Sequence, residues 1–229
     1  MSKVVILTGA GISAESGLGT FRDQGGLWAQ HRIEDVATPE GFARDPDLVH
    51  GFYNARRTQA ATATPNGAHH ALAKLEANFD GEVVIVTQNV DSLHEAAGSK
   101  AVLHMHGRLN GALCNRCGHR WDAPLEMDLT TLCPACGAAK ARPDVVWFGE
   151  IPYFMEEIAD HLDSATIFAS IGTSGQVYPA ASFVQEARAK GAATVEMNLE
   201  PSDISRAFET RRFGPATEVV PEWVETLVS

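Results

Sequence analysis

The sequence predicts an α/β protein: a parallel sheet with helices on both faces, interrupted by a small inserted module. Two observations carry that expectation. Short β-branched runs alternate with helical stretches, and all four cysteines are confined to residues 114–136. Val4 to Leu7 is the first run and stops at Gly9-Ala10-Gly11. Val83 to Val86 stops at Thr87-Gln88-Asn89, Ile167 to Ile171 at Gly172-Thr173-Ser174, and Ala193 to Met197 at Asn198-Leu199-Glu200. Runs that are apolar throughout suit strands buried on both faces. Pro65 to Asn78, Pro152 to Leu162 and Ala180 to Lys190 carry helical patterning. Ligands of such sheets sit beyond the carboxyl ends of the strands, so the polar tails should converge on one site.

The chain has 229 residues, more than one average domain of about 150 and fewer than two. The natural division is a large domain of residues 1–27, 63–106 and 146–229, and a small one of 28–62 and 107–145. The stretch 28–62 is helical in pattern and lacks strand signals. Apolar residues make up 45%, enough for a buried core. Lys and Arg number 18 against 29 Asp and Glu, a net charge of −11, which argues against holding nucleic acid through the overall field. No apolar run approaches the roughly 18 residues of a membrane span. Met1-Ser2-Lys3 leads straight into the first run and leaves no room for a signal peptide, so a cytoplasmic protein is expected; a monomer is expected as well, although the sequence does not fix the oligomeric state.

Cys114-x2-Cys117 and Cys133-x2-Cys136, fifteen residues apart, match a two-knuckle zinc pattern. Four thiolates close a tetrahedral shell with no open position, so such a zinc is structural. One aromatic, Trp121, among scattered basic residues is too little for a nucleic-acid stacking platform.

Gly9-x-Gly11-x-x-Ala14 directly follows a strand and fits the Rossmann phosphate-binding turn, with a helix N-terminus expected to face the anion. The acid that should follow about 20 residues on, after a second strand, is missing. The chain runs instead through Ser16-Gly17-Leu18-Gly19-Thr20-Phe21-Arg22-Asp23 and Gly25-Gly26, a loop. Asn198 or Glu200, after a later strand, can take the ribose. Simple hydride transfer becomes the weaker reading.

In order along the chain, GAGISAESGLGTFRD (9–23), TQNVDSLHEAAG (87–98), HMHG (104–107), the four cysteines, FGE (148–150), GTS (172–174) and NLE (198–200) resemble the motifs of the sirtuins, the NAD-dependent protein deacylases. Many members carry Ile-Pro where this chain has Leu18-Gly19, in a loop near the nicotinamide ribose. The likeness is to the compact bacterial members. It implies a Rossmann-like large domain, a small zinc-and-helix domain, and NAD meeting an acyl-lysine protein or peptide in the cleft between them. In the family chemistry the acyl oxygen attacks the anomeric carbon of the nicotinamide ribose and nicotinamide leaves. A histidine then deprotonates a ribose hydroxyl, giving free lysine and O-acyl-ADP-ribose.

The resemblance assigns the catalytic roles to His106 and Asn89. Imidazole can accept a proton at neutral pH, but spacing alone does not choose between His104 and His106. His69, His70 and His94 are read as structural. NAD contacts are implied for Gly9, Ala10, Gly11, Ser13, Glu15, Phe21, Arg22, Trp28, Gln88, Asn89, Asp91, Gly172, Thr173, Ser174, Asn198, Glu200 and Ala216. For Asn89 and Asp91 a turn-and-cap role fits equally and is compatible with binding. Phe21 would shield the reactive carbon from water, and Arg22 would meet a phosphate.

Val145, Val146 and Phe148 would supply edge hydrogen bonds to an extended peptide. Tyr53 and Arg56, three apart at helical spacing, can share a face, and a phenol beside an Arg fork suits a carboxylate. Tyr-x-x-Arg at this place, with the small Ala37, looks like the subclass that removes succinyl, malonyl or glutaryl groups; the competing reading is an exposed helix pair. An NAD-dependent ADP-ribosyltransferase and a non-catalytic NAD- or acyl-lysine-binding module are the alternative functions.

Overall fold

A computed structural model describes residues 2–19 and 27–228. The strands are β1 (Ser2–Thr8), β2 (Gly81–Thr87), β3 (Val102–His104), β4 (Gly107–Cys114), β5 (Arg120–Asp122), β6 (Ala141–Val145), β7 (Ile167–Ile171), β8 (Ala193–Asn198) and β9 (Thr210–Phe213). Six form one parallel sheet in the order β3-β2-β1-β7-β8-β9, and the other three a small antiparallel sheet, β5-β4-β6. The helices are α1 (Ile33–Val36), α2 (Pro39–Arg44), α3 (Pro46–Ala60), α4 (Gly67–Asn78), α5 (Leu93–Ala97), α6 (Met155–Asp163), α7 (Phe183–Ala189) and α8 (Ala216–Val228). No helix among the described residues is long and apolar enough to cross a membrane.

The unbroken apolar runs follow from a sheet covered on both sides. Alternate residues of a strand face opposite ways, and β1 divides accordingly. Val4 and Ile6 join Leu72 and Leu75 of α4 and Val220 and Trp223 of α8. Val5 and Leu7 join Ile158 and Leu162 of α6 and Phe183 and Val184 of α7. All four run-to-strand expectations hold. β3 and β9 escaped the pattern because each is a short edge strand, and β9 carries Arg211 and Arg212. Charged edges discourage pairing with other chains.

Three helix boundaries are corrected. Asn66 caps α4 by accepting from Ala68 N at 2.9 Å, so Pro65 lies outside it. α6 begins three residues after Pro152, behind Phe154 in the left-handed region at φ 62°. Ala180–Ser182 is a 3-10 turn before α7. α8 runs through Pro221, which removes one backbone donor from the helix, and buries Val219, Val220, Trp223 and Val224. The Gly9-x-Gly11 turn opens a 3-10 helix, Ala10–Ser16, ended by Gly17 in the left-handed region. The α-helix N-terminus expected there is absent, because Asn66 Nδ2 takes the Ile12 carbonyl at 2.8 Å.

α3 ties the helical stretch to the small sheet. Asp45 caps it, accepting from Leu48 N at 3.0 Å. Arg57 is buried and donates to the Leu125 carbonyl at 3.0 Å, the Leu109 carbonyl at 3.3 Å and Asn54 Oδ1. Asn54 in turn bonds Met127 through both its carbonyl and its amide. Removing one member of such a network leaves buried acceptors unpaired. Arg57→Leu should therefore cost about 2–4 kcal/mol, read as a lower midpoint in guanidinium unfolding; an unchanged midpoint would discount the clamp.

Candidate active site and metal centre

The tails of β1 and β7 meet backbone to backbone. Gly9 N donates to the Ile171 carbonyl at 3.0 Å, and Gly11 N to the Gly172 carbonyl at 2.9 Å. A Cβ on Gly9 would lie 2.7 Å from the Gly172 oxygen, and one on Gly11 2.7 Å from the Gly172 Cα. These glycines are required by a loop-on-loop contact within the protein. On the far side, Asn198 Nδ2 donates to the Thr173 carbonyl at 2.9 Å, which brings the tail of β8 to the same place. Thr173 Oγ1 pairs with Ser170 Oγ at 2.8 Å, and Ser174 Oγ accepts from Gln176 N at 3.2 Å.

Ser13 is the centre of a buried polar network. Its hydroxyl donates to Asp91 Oδ2 at 3.1 Å and accepts from Asn89 Nδ2 at 3.2 Å. Asn89 Nδ2 also reaches the Gly9 carbonyl at 3.1 Å, so Asn89 Oδ1 is the group left for a ligand. Asp91 Oδ1 accepts from Leu93 N at 3.1 Å, which makes the turn-and-cap role real and joins it to the network. His69 Nε2 stands 3.5 Å from Ser13 Oγ, and its Nδ1 accepts from Asn66 N at 3.3 Å. His94 Nε2 pairs with Thr8 Oγ1 at 3.0 Å, whose proton goes to Thr87 Oγ1. Burial pushes His69 down to about 4 and His94 to about 3, so both rings are neutral at pH 7.

Structure separates the two histidines that spacing left open. β3 ends at His104, and the chain turns before His106. His104 is buried between two acceptors, the Glu95 carboxylate at 2.6 Å from Nε2 and the Asn89 carbonyl at 3.1 Å from Nδ1. It fastens α5 to the loop after β2. His106 is half-buried, and its Nδ1 meets the Gln88 carbonyl at 3.1 Å. A carbonyl only accepts, so Nδ1 carries the proton and Nε2 presents a lone pair. Burial lowers the His106 pKa, and the bond to Gln88 partly opposes that. A neutral imidazole with one nitrogen fixed and the other open is the form a general base needs. The backbone is locked too. His106 accepts from Val146 N at 2.9 Å, and a Cβ on Gly107, at φ 79°, would lie 2.1 Å from the Asp144 oxygen.

Other expected contact residues fall around this centre with distinct partners. Ala10 opens the 3-10 helix, and Phe21 and Arg22 lie outside the described residues. Glu15 turns to α8, accepting from Thr217 N at 3.1 Å and Thr217 Oγ1 at 2.7 Å; Ala216 begins that helix. Glu200 is exposed. Val146 N, Trp147 N and Phe148 N donate within the chain, to His106, Glu150 and Ala37, at 2.9, 2.8 and 2.9 Å. The Val145 and Trp147 carbonyls are also taken, by Arg142 at 2.7 Å and Glu150 N at 3.0 Å, so the Val146 and Phe148 carbonyls are the groups left to meet a peptide.

Val36, Ala37, Phe52, Tyr53, Val145 and Trp147 pack into one buried apolar cluster. The Arg56 guanidinium stands 4.9 Å from the Trp28 ring centroid, 5.8 Å from Phe52 and 5.7 Å from Tyr53. No hydrogen-bond acceptor or acid pairs with it among the described residues. Burial pushes its pKa down, against the pull of Tyr53 and Asp91. Trp147 Nε1 donates to Tyr53 Oη at 3.0 Å. Arg57, its sequence neighbour, donates to two backbone carbonyls instead.

The Sir2 family profile matches residues 9–179. A relative from Caulobacter vibrioides, described as an NAD-dependent protein deacylase, is 58% identical over 99% of this chain and 97% of its own length. The chain belongs to the Sir2 family. A solved Sir2 homolog in complex with NAD is 38% identical, covers 98% of this chain and 89% of its own, and superposes with a TM-score of 0.90. A Sir2 protein bound to a myristoylated histone peptide is 32% identical, with a TM-score of 0.75 over 98% of this chain and 90% of its own.

The donor set fits the Sir2 cofactor. Neutral amides and hydroxyls at Ser13, Gln88, Asn89, Thr173, Ser174 and Asn198 suit ribose hydroxyls and a carboxamide. Bound NAD supplies an electrophilic ribose carbon and a leaving group. The metal site is equally explicit. The four cysteine Sγ atoms lie within 4.8 Å of one another, with Cys114–Cys136 and Cys117–Cys133 both at 3.7 Å. A tetrahedron with zinc–sulfur bonds of about 2.3 Å has edges of about 3.8 Å. These thiols therefore hold one structural zinc.

Three outcomes follow for this site. Because burial lowers the His106 pKa, the acid limb of kcat/KM should have its midpoint below the ordinary histidine value of 6.5, and His106→Tyr should abolish turnover with zinc still near one per chain. A limb above that value, or a variant that turns over, would remove His106 from the proton transfer. Stripping the zinc with a thiol-reactive mercurial should release about one ion per chain and lower the thermal midpoint, measured by a colorimetric chelator and calorimetry.

Proposed function

We propose that this chain is an NAD-dependent protein-lysine deacylase that removes succinyl and malonyl as well as acetyl groups, releasing nicotinamide and O-acyl-ADP-ribose. The substrate is an acyl-lysine protein or peptide lying between residues 1–27, 63–106 and 146–229 on one side and 28–62 and 107–145 on the other. His106 Nε2 takes a proton from a ribose hydroxyl, with Nδ1–H held by Gln88 throughout. Asn89 Oδ1 orients the nicotinamide side, and Asp91 and Ser13 hold Asn89 in place. Val146 and Phe148 flank the peptide, and Ala37 leaves width for a longer acyl group.

One observation carries the acyl preference: the Arg56 cation stands among aromatic rings with no anion paired with it among the described residues. A partly buried guanidinium without a counter-ion is costly, and an acyl carboxylate would complete it bidentately. Tyr53, a phenol kept protonated because burial pushes its pKa up, would donate to the same group. An acetyl group has no carboxylate to offer either.

A panel of acetyl-, malonyl- and succinyl-lysine peptides, each with and without NAD, tests the activity by release of nicotinamide; release from none of them would refute the deacylase reading. Losing a charge-assisted pair costs about 2–3 kcal/mol. Arg56→Met should therefore lose desuccinylation by roughly 30- to 150-fold while deacetylation is nearly kept. Equal losses of both would remove the carboxylate role.

A further inference from the structure

Trp147 is buried, 2% exposed, directly after β6. Its indole N–H donates to Tyr53 Oη at 3.0 Å. A phenol has one proton and two acceptor lone pairs. With the indole on the acceptor side, the hydroxyl proton is left to donate, and it meets no acceptor among the described residues. Accepting one bond also polarises the O–H and strengthens it as a donor.

The indole is itself held rigidly. Arg142 stacks on its face with the guanidinium carbon 3.6 Å from the ring centroid. Two bonds to Glu150, at 2.7 and 2.9 Å, fix Arg142, and the same carboxylate accepts from Trp147 N at 2.8 Å. Phe42 packs against the ring at 5.2 Å between centroids. A cation over the face draws density from the indole, which makes its N–H a stronger donor towards Tyr53. Glu150, Arg142, Trp147 and Tyr53 thus form one chain of contacts ending beside Arg56.

We infer that Trp147 is a specificity-determining positioning residue, whose N–H holds the Tyr53 hydroxyl as a donor aimed at the carboxylate of an acidic acyl group. This rests on the carboxylate reading of Tyr53 and Arg56. An acyl group without a carboxylate has only its carbonyl oxygen, which the reaction directs at the ribose, so Trp147 should matter for succinyl-lysine and be silent for acetyl-lysine.

Trp147→Phe keeps an aromatic ring under Arg142 and removes the N–H. Its succinyl-peptide kcat/KM should fall roughly fivefold, through a higher KM at nearly constant kcat, with acetyl-peptide kinetics unchanged. In a Tyr53→Phe background the same substitution should have no further effect. Equal losses on both peptides, or an undiminished effect without the Tyr53 hydroxyl, would make Trp147 merely structural and overturn the inference. If Tyr53→Phe and Arg56→Met leave acyl preference unaltered, the carboxylate reading itself falls. If they alter it and Trp147→Phe does not, only the role of Trp147 falls. The wild-type chain gives a second measurement. The Trp147 indole N–H resonance should shift when succinyl-peptide is added and stay put with acetyl-peptide, and the same response to both would overturn the inference.

Discussion

The site depends on a contact between two loops that has no side chain in it. Gly9 and Gly11, after β1, lie against Gly172, after β7, with backbone bonds of 3.0 and 2.9 Å and no room for a Cβ on either side. Neighbouring parallel strands bring their carboxyl ends together in any α/β sheet. Only this approach places Ser13 over the tail of β2 and Thr173 under Asn198. Every polar group gathered there takes its position from backbone that cannot move apart without losing those bonds.

What the loops enclose is mostly neutral. His69 and His94 are kept uncharged by burial; Asn66 N donates to His69 Nδ1 and Thr8 pairs with His94 Nε2, while His94 Nδ1 is buried without a partner among the described residues. A buried polar group without a partner costs about 1–3 kcal/mol, so the bonds among Ser13, Asn89, Thr8 and Thr87 limit that cost to one atom of this network. Closure also removes choice. Gln88 fixes which nitrogen of His106 bears the proton, and Glu95 with the Asn89 carbonyl fixes His104. The protein spends hydrogen bonds to leave two groups open, Nε2 of His106 and Oδ1 of Asn89.

Three arginines beside this centre show how burial sorts one residue type into different tasks. Arg57 donates to two backbone carbonyls and joins α3 to the zinc-bearing segment. Arg142 is paired bidentately with Glu150 and braces Trp147. Arg56 has aromatic neighbours and, among the described residues, no acid paired with it.

The alternation of apolar runs and helical stretches, the four cysteine spacings and the polar tails of the strands were readable from order alone, because each is a local pattern with a local cause. Four strands, the helical character of 28–62 and the zinc knuckles followed from them. The edge strands β3 and β9, the 3-10 helix after β1 and the run of α8 through Pro221 did not, since packing and long-range hydrogen bonds decide them. The same division holds within the site. Chain order placed His104 and His106 two residues apart without choosing between them, and placed Arg56 next to Arg57 without distinguishing them. Which imidazole is tied to a carboxylate, which guanidinium has only aromatic rings against it among the described residues and which indole reaches Tyr53 across 94 positions are set by groups distant in sequence. Those assignments belong to the tertiary structure, because a hydrogen bond or an unpaired charge is a property of neighbours in space.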